Sequence, residues 1–149
     1  MKLISLLFPA ILIGLFVNCK SKNTLTVHKD KCSAYYDTIL HKNIFTYVDS
    51  MPQYPRGISN LYSTISTNYK IPVEEYFQGY VLVSFIIDER GQLTHKKVYK
   101  DNKNTVVSDN QLSPAEKEVL RILDNTDTWK PGKCQGKCVP VLYYLPIKF

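Results

Sequence analysis

Thr128-Trp129-Lys130-Pro131-Gly132-Lys133-Cys134-Gln135-Gly136-Lys137-Cys138-Val139-Pro140-Val141-Leu142-Tyr143-Tyr144-Leu145-Pro146-Ile147-Lys148-Phe149 is the stretch that decides the fold. A tryptophan and a Pro-Gly turn lead through a second Gly-centred turn into a strictly alternating strand. Val139, Val141, Tyr143, Leu145, Ile147 and Phe149 share one face; Pro140, Leu142, Tyr144, Pro146 and Lys148 share the other. Proline cannot donate to a ladder, so a strand carrying two of them reads as a sheet edge, where an extended peptide can add. Pro140 and Pro146 have the same parity. The even residues are therefore expected to face away from the neighbouring strand, and a guest would pair along Val141, Leu142, Tyr143 and Tyr144.

Working outward, Tyr80-Val81-Leu82-Val83-Ser84-Phe85-Ile86-Ile87 is apolar on both faces and predicts a central strand. Asp88-Glu89-Arg90-Gly91 is a tight turn with glycine where φ must be positive. Gln92–Tyr99 returns as a more polar strand. Ser113-Pro114-Ala115-Glu116 is a helix start with a cap, a proline at the first position and a capping-box glutamate; Val119, Leu120, Ile122 and Leu123 form its apolar face. Ile58, Leu61, Tyr62, Ile65 and Tyr69 recur at helical spacing and predict a helix over 58–68. Pro72–Phe77 suggests one further turn. The expected fold is α+β: a three-stranded antiparallel sheet, in the order 92–99, 80–87, 139–149, with two helices packed on one face.

The chain has 149 residues, 44 % hydrophobic and 21 % charged, which suits one globular domain. Its net charge is +6, but the lysines are scattered, with no basic helix or Arg-rich stripe, so no nucleic-acid partner is expected. Eleven tyrosines against one tryptophan suit interfaces as well as a small core. No nucleophile–base order, phosphate loop or metal set stands out, so neither catalysis, nor a cofactor, nor a metal is expected. His28, His41 and His95 are read as solvent-exposed. Cys134 and Cys138 flank a short hairpin-like loop and are read as a disulfide or as two free thiols. Cys32 is then odd, and could instead reach one of the pair.

Leu3–Val17 is too short to span a membrane and fits a secretory signal. The apolar run stops at Asn18-Cys19 and then turns polar, which resembles a bacterial lipoprotein signal of the loose Bacteroidota type, with Cys19 as the lipidated residue. Residues 1–18 are expected to be the signal peptide, 19–44 a lipid-anchored tether, and 45–149 the folded domain.

Met51–Gly57, Gly79–Gly91, Glu118–Leu123, Trp129-Lys130-Pro131-Gly132, Val139-Pro140-Val141 and Leu145-Pro146-Ile147-Lys148-Phe149 together resemble the TonB C-terminal domain in its Bacteroidota form. Arg56 stands where that family usually has a second glycine, and Ile71 where tyrosine precedes the proline. The resemblance implies a periplasmic domain that grips an extended peptide of an outer-membrane transporter by strand addition beside its last strand. Two functional expectations follow. One is a module of TonB-dependent transport. The other is a stand-alone envelope lipoprotein with an assembly role. In both, the partners are envelope proteins, the membrane is reached through the lipid anchor, and the outer membrane is favoured over the inner.

Overall fold

The computed structural model describes residues 32–70, 79–100 and 105–149. The expected signal peptide, Cys19 and the turn at Pro72–Phe77 lie outside the described residues. The chain order is β1 (Ser33–Asp37), β2 (Lys42–Tyr47), α1 (Ile58–Asn68), β3 (Tyr80–Ile87), β4 (Leu93–Lys100), β5 (Thr105–Val106), α2 (Pro114–Asp124), β6 (Gly132–Cys134), β7 (Lys137–Val139) and β8 (Val141–Lys148).

β3 and β8 pair antiparallel over eight residues without a bulge, from Tyr80↔Lys148 to Ile87↔Val141. In this register Val81, Val83, Phe85 and Ile87 lie opposite Ile147, Leu145, Tyr143 and Val141, all on one face. Onto that face pack Leu61 and Ile65 of α1 and Val119, Ile122 and Leu123 of α2. Most of these side chains are withdrawn almost completely from water, and each contributes about 1.5–3 kcal/mol of transfer free energy. The capping box that opens α2 forms as its sequence predicts: the Ser113 N–H donates to Glu116 Oε2 at 2.8 Å, and the Glu116 N–H to Ser113 Oγ at 3.3 Å. Arg121 and Glu118 then tie the two helices together. The Arg121 guanidinium donates to the Asn68 carbonyl at 3.2 Å, and Glu118 accepts from the Lys70 N–H at 3.2 Å.

The turn after β3 also forms as expected. Asp88 Oδ1 accepts from the N–H groups of Arg90 and Gln92, and Gly91 takes φ +83°. Gly91 has a second task. Its carbonyl accepts from the Trp129 N–H at 2.8 Å, and a Cβ there would sit 1.9 Å from the Trp129 carbonyl oxygen. Arg56 stands at φ +61° beside Gly57 at +89°, so the position where the resembled family carries glycine is one whose backbone favours it.

The expectation of a three-stranded antiparallel sheet is overturned. Among the described residues the main sheet has six strands of mixed direction, in the order β1-β2-β8-β3-β4-β5, curled into a half-barrel. β1 and the first half of β2 arise within residues 19–44, expected to be tether. Their backbone groups find partners in each other, Ala34 opposite Phe45 through Asp37 opposite Lys42. β2 then lies parallel to the start of β8: Phe45 bridges Val141, and the Phe45 N–H donates to the Pro140 carbonyl at 2.9 Å. The last strand is therefore flanked on both sides at its beginning and is not the sheet's edge.

Of the pairings left open for the cysteines, the one through Cys32 forms. β6 and β7 form a hairpin in which Cys134 faces Lys137 and Lys133 faces Cys138, around Gln135 and Gly136, both at positive φ. Adjacent pairs of a ladder point their side chains to opposite faces, so Cys134 and Cys138 cannot meet. Cys134 instead bonds Cys32, with a Cα–Cα distance of 6.0 Å across 102 residues of sequence, and Cys138 is an exposed free thiol. The bridge fastens the start of β1 to the hairpin that precedes β8.

A loop of this length gives the disulfide about 2–5 kcal/mol of stability. Chemical denaturation should show Cys134→Ser losing that amount, and Cys138→Ser changing stability by less than about 0.5 kcal/mol. Gly91→Ala should cost about 2–4 kcal/mol in the same assay, because both the Trp129 carbonyl and the positive φ oppose a side chain.

Candidate functional site on the open face of the sheet

The register that sends the odd residues of β3 and β8 to the helices sends Leu82, Ser84 and Ile86, with Leu142, Tyr144 and Pro146, to the opposite face. No helix covers that face among the described residues. The curl of the sheet turns it into a trough of about 380 Å³. Ser84 and Ile86 form the buried floor, with Leu142 and Tyr144 of β8 beside them. Tyr35, Asp37 and the Ile39–Leu40 loop form one wall, and His95, Lys97 and Tyr99 of β4 the other.

The walls come close enough to interact electrically. β1 and β4 are four strand spacings apart, about 19 Å in a flat sheet. Yet the Tyr35 phenol is influenced by Tyr99, and Asp37 by Lys97 and His95. The Lys42–Glu89 ion pair, at 3.9 Å, draws the start of β2 toward the β3–β4 turn in the same sense. His95 sits at a β-bulge. Pairing shifts between Ser84↔Lys97 and Ile86↔Thr94, leaving an extra residue in β4, and His95 sits there at φ +51°. By alternation His95 shares the trough face with Lys97 and Tyr99, and it is exposed there, as the sequence reading expects.

Three phenols converge. The Tyr99 and Tyr144 rings are 6.0 Å apart and their hydroxyls are hydrogen-bonded. Burial first, and then the neighbouring Tyr99, raise the Tyr144 pKa above the ordinary phenol value; burial and Asp37 do the same for Tyr35. Asp37 is held below the usual carboxylate range. The Leu40 N–H is the main cause, supported by the Ile39 N–H, Lys97 and His95 against partial burial. Its Oδ1 accepts both amide bonds at 2.9 Å, which fixes the β1–β2 loop over the trough.

The residues expected to receive a peptide along the last strand divide. Val141 is fully buried, bridged to Phe45 and paired with Ile87. Tyr143 points to the helix side, stacked on Phe85 at 5.5 Å and edge-on to Trp129. Leu142 and Tyr144 enter the trough. The parity assigned to the prolines holds: the Phe149 N–H donates to Gly79, so odd residues bond to β3, and the Pro140 carbonyl faces outward. But that outward side is taken up, by Phe45 at Pro140 and by the Tyr62 hydroxyl at Pro146, 3.0 Å from its carbonyl. The parallel register assigns the Leu142 N–H to Phe45 as well.

Cys32, Cys134 and Asp49 lie within 4.8 Å of one another, but the two sulfurs are joined and offer no thiolates to a metal. Tyr35, Tyr99 and His95 are the site residues that sequence periodicity does not find; the abundance of tyrosine was the signal available for two of them. Comparison with protein-family models, curated proteins and solved structures finds no match for this chain.

A phenol whose folded pKa is raised stabilises the fold fully below its unfolded value of about 10, and that contribution is lost as pH rises through the folded value. Unfolding midpoints measured from pH 9 to 11 should therefore fall with pH, and fall less in Tyr144→Phe. Absorbance titration near 295 nm should show the same variant losing part of its late-ionising tyrosine signal.

Proposed function

We propose that this chain is a protein-binding module of the bacterial cell envelope, which holds an extended peptide bearing aromatic or aliphatic side chains in the trough of its half-barrel. The observation that carries the reading is the continuity of the tyrosine surface. The three phenols of the trough pass at the β1–β2 end into Ile39, which lines the same trough and is 82 % exposed. That is a wider surface than a small molecule needs, and tyrosine is favoured where apolar contact and hydrogen bonding must occur together.

Three features support the envelope. The amino terminus reads as a lipoprotein signal. The Cys32–Cys134 disulfide suits an oxidising compartment. The motifs from Met51 to Phe149 resemble the TonB C-terminal domain. On this reading the guest lies across the sheet rather than beside its last strand, because β2 occupies the flank of β8 at Val141. A transporter's periplasmic segment and a structural envelope protein are the two sources of such a peptide. A partner found with an inner-membrane motor complex identifies the first, and one found without it the second.

A photo-crosslinking residue at Ile39 should capture a defined envelope protein in intact cells, and one at Lys117, exposed on α2, should not. Tyr35→Ala should weaken the captured pair by about 1–2 kcal/mol without changing the melting temperature. Equal capture from both positions, or unaltered affinity in Tyr35→Ala, would reject the trough as the binding surface.

A further inference from the structure

The two strands that wall one side of the trough carry a second surface on their other face. Ala34 lies opposite Phe45 and Tyr36 opposite Asn43, so Tyr36, Phe45 and, two residues on, Tyr47 share the face of β1 and β2 that turns away from the trough. Phe45 is half-buried beside Val141. Tyr36 and Tyr47 are 58 % and 62 % exposed, and none of the three belongs to the core beneath the helices. The β6–β7 hairpin stands at the Tyr47 end of this face. Ser33 pairs with Tyr47, the neighbouring Cys32 is bonded to Cys134, and Ser50 bridges Lys133. The hairpin tip, Gln135-Gly136, lies between Lys133 and Lys137, and all four residues are exposed. We propose that this corner, aromatic on the strands and basic at the hairpin, rests on the surface of an anionic lipid bilayer.

Chemistry, charge and position each select lipid as the occupant. Tyrosine has an apolar ring and a polar tip, which suits the boundary between acyl chains and water. Lysines beside such rings are drawn to anionic headgroups. Asp49, whose carboxylate accepts from the Gln135 N–H at 2.7 Å, offsets one of these charges. The chain that arrives at the corner restores the balance, since the twelve residues from Lys20 to Lys31 hold four lysines and one aspartate. That chain joins the fold at Cys32, which the disulfide fixes to the hairpin. The inference rests on the reading of Cys19 as the lipidated residue. Twelve residues span at most about 42 Å, so the bilayer that holds the acyl group lies within that distance of the corner. With the corner on the bilayer, the trough, on the opposite face of the same strands, is turned away from lipid and open to a partner.

Cys138, exposed and free on the same hairpin, is the handle for the test. The full chain is labelled with an environment-sensitive maleimide and reconstituted into vesicles of phosphatidylcholine, or of equal parts phosphatidylcholine and phosphatidylglycerol. Mass spectrometry counts the labels. One label per chain shows Cys19 acylated; two show that the anchor reading has failed, and Cys19→Ser then confines the label to Cys138 so that the surface contact is still measured. Blue-shifted emission, quenched by a nitroxide on the lipid headgroup and reversed by high salt, is expected only with phosphatidylglycerol. Lys133→Glu with Lys137→Glu should lose about half or more of that quenching, as should Tyr47→Ser, each with an unchanged melting temperature. The same reversals at Lys100 and Lys117, both exposed, should leave it intact. Equal quenching in both vesicles, none in either, or undiminished quenching in the Lys133→Glu, Lys137→Glu variant would each overturn the proposal. A dimer formed without vesicles and abolished by Tyr47→Ser would also overturn it, by assigning the face to a second copy. Loss of trough binding would leave this result untouched, because the two surfaces lie on opposite faces.

Discussion

The pairing of β3 with β8 is the constraint on which everything else in this molecule depends. Eight residue pairs run without a bulge, so one parity rule extends from Tyr80 to Lys148. Odd residues go to the helices and even residues to the open face. A slip of one residue would exchange the two sets, placing Ser84 and Tyr144 beneath the helices and Phe85 and Leu145 in the open. The pairing is thus at once the source of the core and the reason a tyrosine-lined face exists opposite it.

Curvature comes from a second set of contacts. β2 joins β8 through one parallel bridge, β1 follows by antiparallel pairing, and the bond from Cys32 to Cys134 fixes the far end. Asp49 adds to that corner by accepting from the Gln135 N–H at 2.7 Å, and Ser50 exchanges backbone bonds with Lys133. On the other flank the bulge at His95 bends β4. Lys96 anchors that strand to α2, reaching the Leu120 carbonyl and pairing with Asp124. A sheet held at both ends and bent in between has a concave face, and polar tips on aromatic rings make that face wettable without filling it.

The helix side obeys a different logic. Trp129 is wedged among Tyr54, Phe85 and Tyr143, with its backbone bonded to Gly91. The loop carrying Tyr54 and Arg56 is held by paired bonds between Gln53 and Lys130. That segment therefore supplies core packing and the start of α1. The two faces of the sheet share β8, through Tyr144 on one side and Tyr143 on the other, and neighbouring residues of one strand face different chemistry.

Whatever depends on spacing along the chain was legible in the sequence: the amphipathic helices over 58–68 and after Ser113, the Asp88–Gly91 turn, the alternation of the last strand and the outward parity of its prolines. These are local, since one residue's periodicity or cap states its own geometry. The tertiary structure alone decided what lies beside that strand. Phe45 meets Val141, and Cys32 meets Cys134, across most of the chain, and no period or motif encodes a contact between segments so far apart. Residues 33–47 carry weak strand signals of their own and become β1 and β2 because the flank of β8 and the disulfide give their backbone groups and their cysteine a partner. The same long-range closure turned an expected edge into an interior strand and brought Tyr35 to Tyr99, so the open face acquired its walls from residues whose sequence neighbours say nothing of one another.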